Sequence, residues 1–292
     1  ATMTKEGSGA ITTEMLLHAS KSTVAKGESN DQFLKRVTHL TLSNKKLTAI
    51  GGTVLDSCKN VKVLYLYDNK ITAIDGLASL RNLTQLHLQR NRITKMDNLD
   101  PLVHLEKLYL DGNHITCLEG LRHCTLLQEL HLANQTPTDR ATEFSWETSS
   151  LHAIAPTLRL LDVSNCNVHS TAALTCLGHL DTLDLSRNHI REMEDVYGLV
   201  GALRSLRELN LTNNHVNATP KYREHTVIFS HATLETLDKK PIESKQRAMM
   251  QKHVAYKHKK RLEKGAPQES EQSAKDTTSW GLVSGNNNWH SE

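Results

Sequence analysis

The 292-residue sequence predicts an α/β solenoid of about eight 22-residue coils wound right-handed, with a parallel sheet on the concave side and helical caps. Three observations predict it. First, a frame of the form L-x-x-L-x-L-x-x-N-x-I, as in Val61-Lys62-Val63-Leu64-Tyr65-Leu66-Tyr67-Asp68-Asn69-Lys70-Ile71, returns at Leu83, Leu105, Leu127, Leu158, Leu180 and Leu206, with a weaker first copy at Val37. Second, the steps between copies are 24, 22, 22, 22, 31, 22 and 26 residues, close to one period. Third, the composition is 38% hydrophobic but only 4% aromatic, so the core must be aliphatic, as this frame supplies.

Each position of the frame has a physical job. The alternation in Leu64-x-Leu66, Leu86-x-Leu88, Leu108-x-Leu110 and Leu183-x-Leu185 marks short strands with leucines turned inward, stacked one per coil. Asn69, Asn91, Asn113, Asn188 and Asn214 then turn the chain, and their amides can bond backbone groups that no strand ladder satisfies. Lys45, Gln135 and Cys166 take that place in the other copies, so this ladder is expected to be weakest in the first, fifth and sixth coils. Ile71 and Ile74, Ile93 and Met96, and Ile115 and Leu118 fill the next layer. A half-coil position holds Leu80, Leu102, Leu177 and Leu203, and also Cys58 and Cys124, which read as buried leucine substitutes. The frame is that of a leucine-rich repeat, and the fold expected is a leucine-rich-repeat right-handed solenoid.

A solenoid needs its ends covered. Residues 31–36 predict a short helix that lays Phe33 and Leu34 on the first coil; residues 220–229, followed by Leu234 and Leu237, predict a helix and half-coil that close the last. The 31-residue step holds nine extra residues across 136–150, with Phe144 and Trp146, read as a loop or short helix packed on the flank. Four segments follow: a flexible N-terminal extension (1–30) with one apolar patch at Ile11 and Met15–Leu17, the repeat domain with caps (31–242), a basic helix (243–264) and a low-complexity tail (265–292).

Charge is placed unevenly. The chain has 35 Lys/Arg and 32 Asp/Glu, net +3, yet residues 243–264 alone hold eight Lys/Arg against Glu243 and Glu263. Within that segment Lys252, Lys257, Lys259, Lys260 and Arg261 are the candidate contacts for an acidic partner. Tyr256 is its one aromatic, so base stacking is not favoured and nucleic acid is not the partner expected. No stretch reaches the roughly 20 apolar residues of a membrane helix, and the first thirty residues lack a signal-peptide layout; a protein of the cytoplasm is expected, with no membrane partner. Five cysteines without a CxxC pair argue against a disulfide framework or zinc ribbon.

On the strands, the residues that alternate with the leucines form a concave column: Thr41, Tyr65, His87, Tyr109, His131, Asp162, Asp184 and Asn210, flanked by Val63, Tyr67, Gln85, Lys107, Asp111, Glu129 and Glu208. Tyr residues gather in its first half and carboxylates in its second, which suits protein recognition. The candidate partner-binding residues are Tyr65, Tyr67, His87, Tyr109, His131, Asp162 and Asp184. His87 and His131 stand two coils, roughly 10 Å, apart, too far to share a metal, so no metal site is expected. Asp162 and Asp184 lie on adjacent coils where the carboxylates can approach, but an open sheet gives no burial to split their pKa values, so a Lys- or Arg-bearing partner is expected. No phosphate-loop, zinc-protease, esterase or kinase signature occurs. The expectation is a non-enzyme without cofactors.

The 22-residue coil with Asn-x-Ile-x-x-Ile/Leu-x-x-Leu resembles the leucine-rich-repeat regulatory subunits of protein phosphatase 1 and their ciliary relatives. The residues carrying the resemblance are 63–69, 105–113, Ala133-Asn134-Gln135 with the Phe144 insertion, and Lys221-Tyr222-Arg223. The resemblance implies a non-catalytic adaptor within a large complex of the cilium or flagellum axoneme, the centrosome or the basal body. Its partners would be axonemal or microtubule proteins, or the protein phosphatase 1 catalytic subunit.

Overall fold

The aliphatic frame winds into coils that each contribute three strand residues to one sheet. The computed structural model describes residues 9–20, 23–139, 141–252 and 256. In chain order, α1 (Thr13–His18) and α2 (Asn30–Arg36) precede β1 (His39–Thr41), β2 (Val63–Tyr65), β3 (Gln85–His87) and β4 (Lys107–Tyr109). A short β5 (Cys117–Leu118) is followed by β6 (Glu129–His131), and β7 (Ser145–Trp146) with α3 (Thr148–Ile154) fills the long step before β8 (Leu160–Asp162) and β9 (Thr182–Asp184). Helix α4 (Met193–Ala202) leads to β10 (Glu208–Asn210), and α5 (Tyr222–Phe229) to β11 (Thr236–Leu237) and β12 (Lys240–Pro241). No helix among the described residues is long and apolar enough to cross a membrane.

Strands β1, β2, β3, β4, β6, β8, β9, β10 and β11 pair in parallel. Leu40, Leu64, Leu86, Leu108, Leu130, Leu161, Leu183, Leu209 and Leu237 share one register row, each at most 1% exposed. A slip of one residue would turn every one of them to solvent, so the pattern itself fixes the register.

Behind the strands runs the polar ladder. The Asn91 amide donates to Leu66 O and Leu88 O, and its Oδ1 accepts from Ile71 N. Asn69, Asn113, Asn188 and Asn214 repeat the scheme. The expected weak point in the fifth coil is absent: the longer Gln135 donates to Leu110 O and Leu132 O and accepts from Ile115 N. In the sixth coil Cys166 Sγ donates to Leu132 O and Ser164 O. The backbone nitrogen that an asparagine there would serve belongs to Pro137, which has no N–H, so this rung does not need that acceptor. Lys45 alone leaves its rung to the neighbour, and Asn69 Oδ1 accepts both Lys45 N and Leu47 N.

One further regularity escaped the sequence reading. The residue before each ladder position (Asn44, Asp68, Arg90, Gly112, Asn134, Asn165, Arg187, Asn213) has φ between 53° and 67°. Asn, Asp and Gly tolerate that left-handed turn well; Arg90 and Arg187 bear it at some cost. At Gly120, φ is 71° and a Cβ would sit 1.9 Å from Met96 O, so only glycine fits.

The caps form as the pattern predicts, with additions. Ser29 and Gln32 make a reciprocal capping box on α2, which buries Phe33 and Leu34. Part of the expected N-terminal extension is core: Ile11 and Leu16 are buried, and Thr41 N donates to Ala19 O. At the far end β12 turns back antiparallel on β11, which ends the parallel run with a short edge. A helix begins at residue 244, and Arg247 donates to Val227 O, Ser230 O and Leu234 O. Arg247 therefore belongs to the cap rather than to a solvated basic segment. The flank insertion packs Phe144 inward and adds a strand: β7 pairs with β5 in a second, two-stranded sheet. Cys58 and Cys124 are fully buried, and burial pushes their thiols up to about 11 and about 12.

Candidate functional site

Parallel, in-register strands place equivalent side chains of neighbouring coils directly beside one another, at about the strand spacing of 4.8 Å. That spacing suits stacked rings. Tyr65, His87, Tyr109 and His131 form a continuous stack, with centroid separations of 4.6, 4.3 and 4.6 Å and interplanar angles of 29°, 8° and 18°. Tyr67 meets Tyr65 edge-on at 6.4 Å. Five of the candidate binding residues are thus one aromatic surface.

The stack is tuned by its surroundings. His87 lies between two tyrosine rings, and burial, helped by the positive charges of His131 and Lys107, lowers its pKa from 6.5 to about 4. It is neutral near pH 7, and its Nε2 is buried without a hydrogen-bond partner among the described residues. Burial pushes the Tyr109 phenol up to about 12, with the Glu129 carboxylate second; its hydroxyl donates to Glu129 Oε2 at 3.1 Å. Lys107 Nζ lies 2.8 Å from Glu129 Oε1, so the flank beside the rings is neutralised internally.

Beyond His131 the same column changes character. Asp184 Oδ1 accepts from Ser186 N and its Oδ2 from the Asn210 amide, each at 2.8 Å. Asp162 Oδ1 accepts from Ser164 N at 2.9 Å. The two carboxylates expected to approach each other are instead each engaged separately. Asp162 groups with His131 and Asp111, and their donor atoms lie within 4.8 Å of one another. Tyr109 stands between His87 and His131, while Asp111, placed by its spacing only among the flanking residues, joins the column. Burial raises the pKa of Asp111, opposed by His131 and the Ala133 N–H and reinforced by Asp162. The sequence column already set His131 beside Asp162; what it missed is that Asp111, two residues on from Tyr109, reaches the same group.

The remaining predicted residues stand elsewhere. Lys252 is helical and exposed; Lys257, Lys259, Lys260 and Arg261 lie outside the described residues. The histidines read as scattered include a second row, His169, His189 and His215, with rings 5.1 and 5.7 Å apart along the turns that follow the strands.

A leucine rich repeat family model matches residues 35–93, the first coils of the nine-leucine register. The chain has the leucine-rich-repeat fold. Among solved structures this chain is similar to an internalin, InlF, of Listeria monocytogenes: 24% identity, TM-score 0.57, covering 71% of this chain and 55% of that one. It is also similar to internalin C2 of the same bacterium (26% identity, TM-score 0.54, 69% of this chain and 84% of that one). A third likeness is the leucine-rich-repeat domain of APL1B (18%, 0.51, 75% and 59%). The chain spans about half the length of InlF. Leucine-rich-repeat proteins are typically non-catalytic scaffolds that bind protein partners on an open, curved surface.

Proposed function

We propose that this chain is a non-catalytic protein-binding adaptor that seats its partner on the concave face, and that it serves as a structural component of a cilium, flagellum or centrosome. The observation supporting the first half is the rigid stack Tyr65–His87–Tyr109–His131, bordered by Asp162 and Asp184. Rings already held by their neighbours lose little entropy on binding, and aromatic anchors carry much of the energy of protein interfaces. The acidic end gives such a surface polarity and favours a partner that lays apolar or aromatic groups over the rings and a Lys or Arg against the carboxylates.

The second half rests on the sequence resemblance to ciliary relatives of the phosphatase regulators, protein phosphatase 1 regulatory subunit 42 among them. The basic residues Lys252, Lys257, Lys259, Lys260 and Arg261 fit an acidic surface such as that of microtubules. A regulatory subunit of protein phosphatase 1 and a nucleic-acid-binding protein are the competing readings.

Tagged full-length protein in ciliated cells tests both halves together. Concentration at the axoneme or basal body is expected. The triple variant Tyr65→Ala, Tyr67→Ala, Tyr109→Ala should lose it while remaining folded, at a cost of about 0.5–1.5 kcal/mol for each aromatic pair removed. A diffuse signal for the wild type would overturn the ciliary reading, and an unchanged signal for the variant would overturn the concave face. Stoichiometric co-purification of a phosphatase catalytic subunit would favour the regulatory reading.

A further inference from the structure

Asp111, His131 and Asp162 come from three successive coils, and one donor atom of each lies within 4.8 Å of the other two. All three are fixed in place. Asp111 Oδ1 accepts from Ala133 N at 2.9 Å, Asp162 Oδ1 accepts from Ser164 N at 2.9 Å, and the His131 ring lies on Tyr109. Those bonds engage one oxygen of each carboxylate. Asp111 also has its own backbone N–H beside it, and among the described residues neither carboxylate forms an ion pair with Lys or Arg.

Elsewhere the molecule treats its acids differently. Glu129 is paired with Lys107, Asp68 with Arg90, Glu147 with Arg122 and Glu28 with Arg36, and Asp184 has the Asn210 amide. Among the described residues this is the one place where three metal-ligating side chains converge, two half-buried carboxylates with the His131 imidazole, whose Nε2 also lies 4.0 Å from Glu129 Oε2. Burying like charges together is unfavourable unless a positive group neutralises them. The imidazole can supply one proton's worth of charge at most; a dication supplies two.

We propose that Asp111, His131 and Asp162 form a binding site for a divalent transition-metal ion of the Zn2+ class, with its remaining coordination positions open to the concave face. One imidazole nitrogen and two carboxylate oxygens suit zinc, which takes three protein ligands and leaves a fourth position vacant in its open sites. Calcium prefers 6–8 oxygens, and magnesium retains most of its water, so neither matches a three-ligand set containing nitrogen. Metal–ligand bonds of about 2.0–2.2 Å place tetrahedral ligand atoms roughly 3.3 Å apart. Closing from 4.8 Å needs only small side-chain rotations on a fixed backbone. The site stands independently of the adaptor reading; a bound ion would add a Lewis-acidic point at the junction of the aromatic and acidic halves.

Titration of full-length, metal-stripped protein with Co2+, followed by visible absorption, tests the site directly. One equivalent should bind with the intense d–d bands of four- or five-coordinate cobalt, without a sulfur-to-cobalt charge-transfer band, and Zn2+ should displace it. Asp111→Asn, Asp162→Asn and His131→Ala should each weaken binding at least tenfold, while His189→Ala, in the separate histidine row, should leave it unchanged. Undiminished binding in the folded Asp111→Asn and Asp162→Asn variants would overturn the proposal. Should those variants fail to fold, the wild-type spectrum decides: no saturable binding, purely octahedral cobalt or a thiolate band would each overturn it.

Discussion

The two halves of the concave column share one register and one backbone, yet behave differently. From β2 to β6 the side chains lean on one another, ring upon ring; from β8 to β10 they turn to their own backbones or to a neighbouring amide. Strand spacing explains the first, since about 4.8 Å is a natural distance between stacked rings. Charge explains the second: carboxylates repel at that spacing and take N–H donors two residues on instead. Along one column, a solenoid lattice amplifies whatever it repeats: flat neutral groups stack, and carboxylates on adjacent strands turn to separate partners.

Three sets of substitutions sharpen that comparison. The largest effect belongs to the layer both halves share. Leu86→Ala under the rings and Leu183→Ala under the acids should each cost about 2–5 kcal/mol in chemical denaturation, because both side chains are fully enclosed. A large difference between the two would mean that the halves differ in packing as well as in surface.

A smaller effect separates rungs of the polar ladder. Asn113→Ala orphans Ile93 N and takes one of two amide donors from Leu88 O and Leu110 O, which keep Asn91 and Gln135, and a loss of about 1–3 kcal/mol is expected. Cys166→Ala should cost less, since it removes a weak thiol donor and orphans no N–H at Pro137. Equal losses would show that the carboxamide's acceptor role matters little.

The smallest effect is set by pH and confined to the aromatic half. His87, faced by Tyr65, Tyr109, Lys107 and His131, has its folded pKa depressed from 6.5 to about 4. Its contribution is complete above about pH 6.5 and is lost as pH falls toward 4, because the unfolded chain takes up the proton first. At ~1.4 kcal/mol per unit, discounted for an open face, about 1–2 kcal/mol should vanish in that window. His87→Phe keeps a ring in the stack and removes the proton, so its thermal midpoint should fall less over the same range. Parallel pH profiles for the two proteins would refute the neutral, stacked histidine.

What the sequence made legible was whatever repeats. The leucine register, the asparagine rungs and the order of the concave column all follow from a 22-residue count, and Phe33 and Leu34 mark the first cap by their position before it. Less legible was whatever depends on a particular opposite number. Gln135 holds its rung because one more methylene still reaches the same carbonyls. Arg247 finds the carbonyls at the end of α5 through chain geometry that no period encodes. Asp111 meets Asp162 only once the long step, with its extra β5–β7 pair, is folded out of the way.

The meeting of Pro137 and Cys166 has a consequence for how such a chain can be cut and rejoined. Wherever two carboxamide rungs adjoin, a coil can be excised or duplicated and the exposed faces still match, lone pair to N–H. At this junction they do not: an imported asparagine would face a proline with nothing to give, and an imported non-proline residue would face sulfur with little to receive. The two positions, 29 residues apart, therefore match each other, and a module exchanged across this seam that carried one without the other would leave this rung unlike its neighbours.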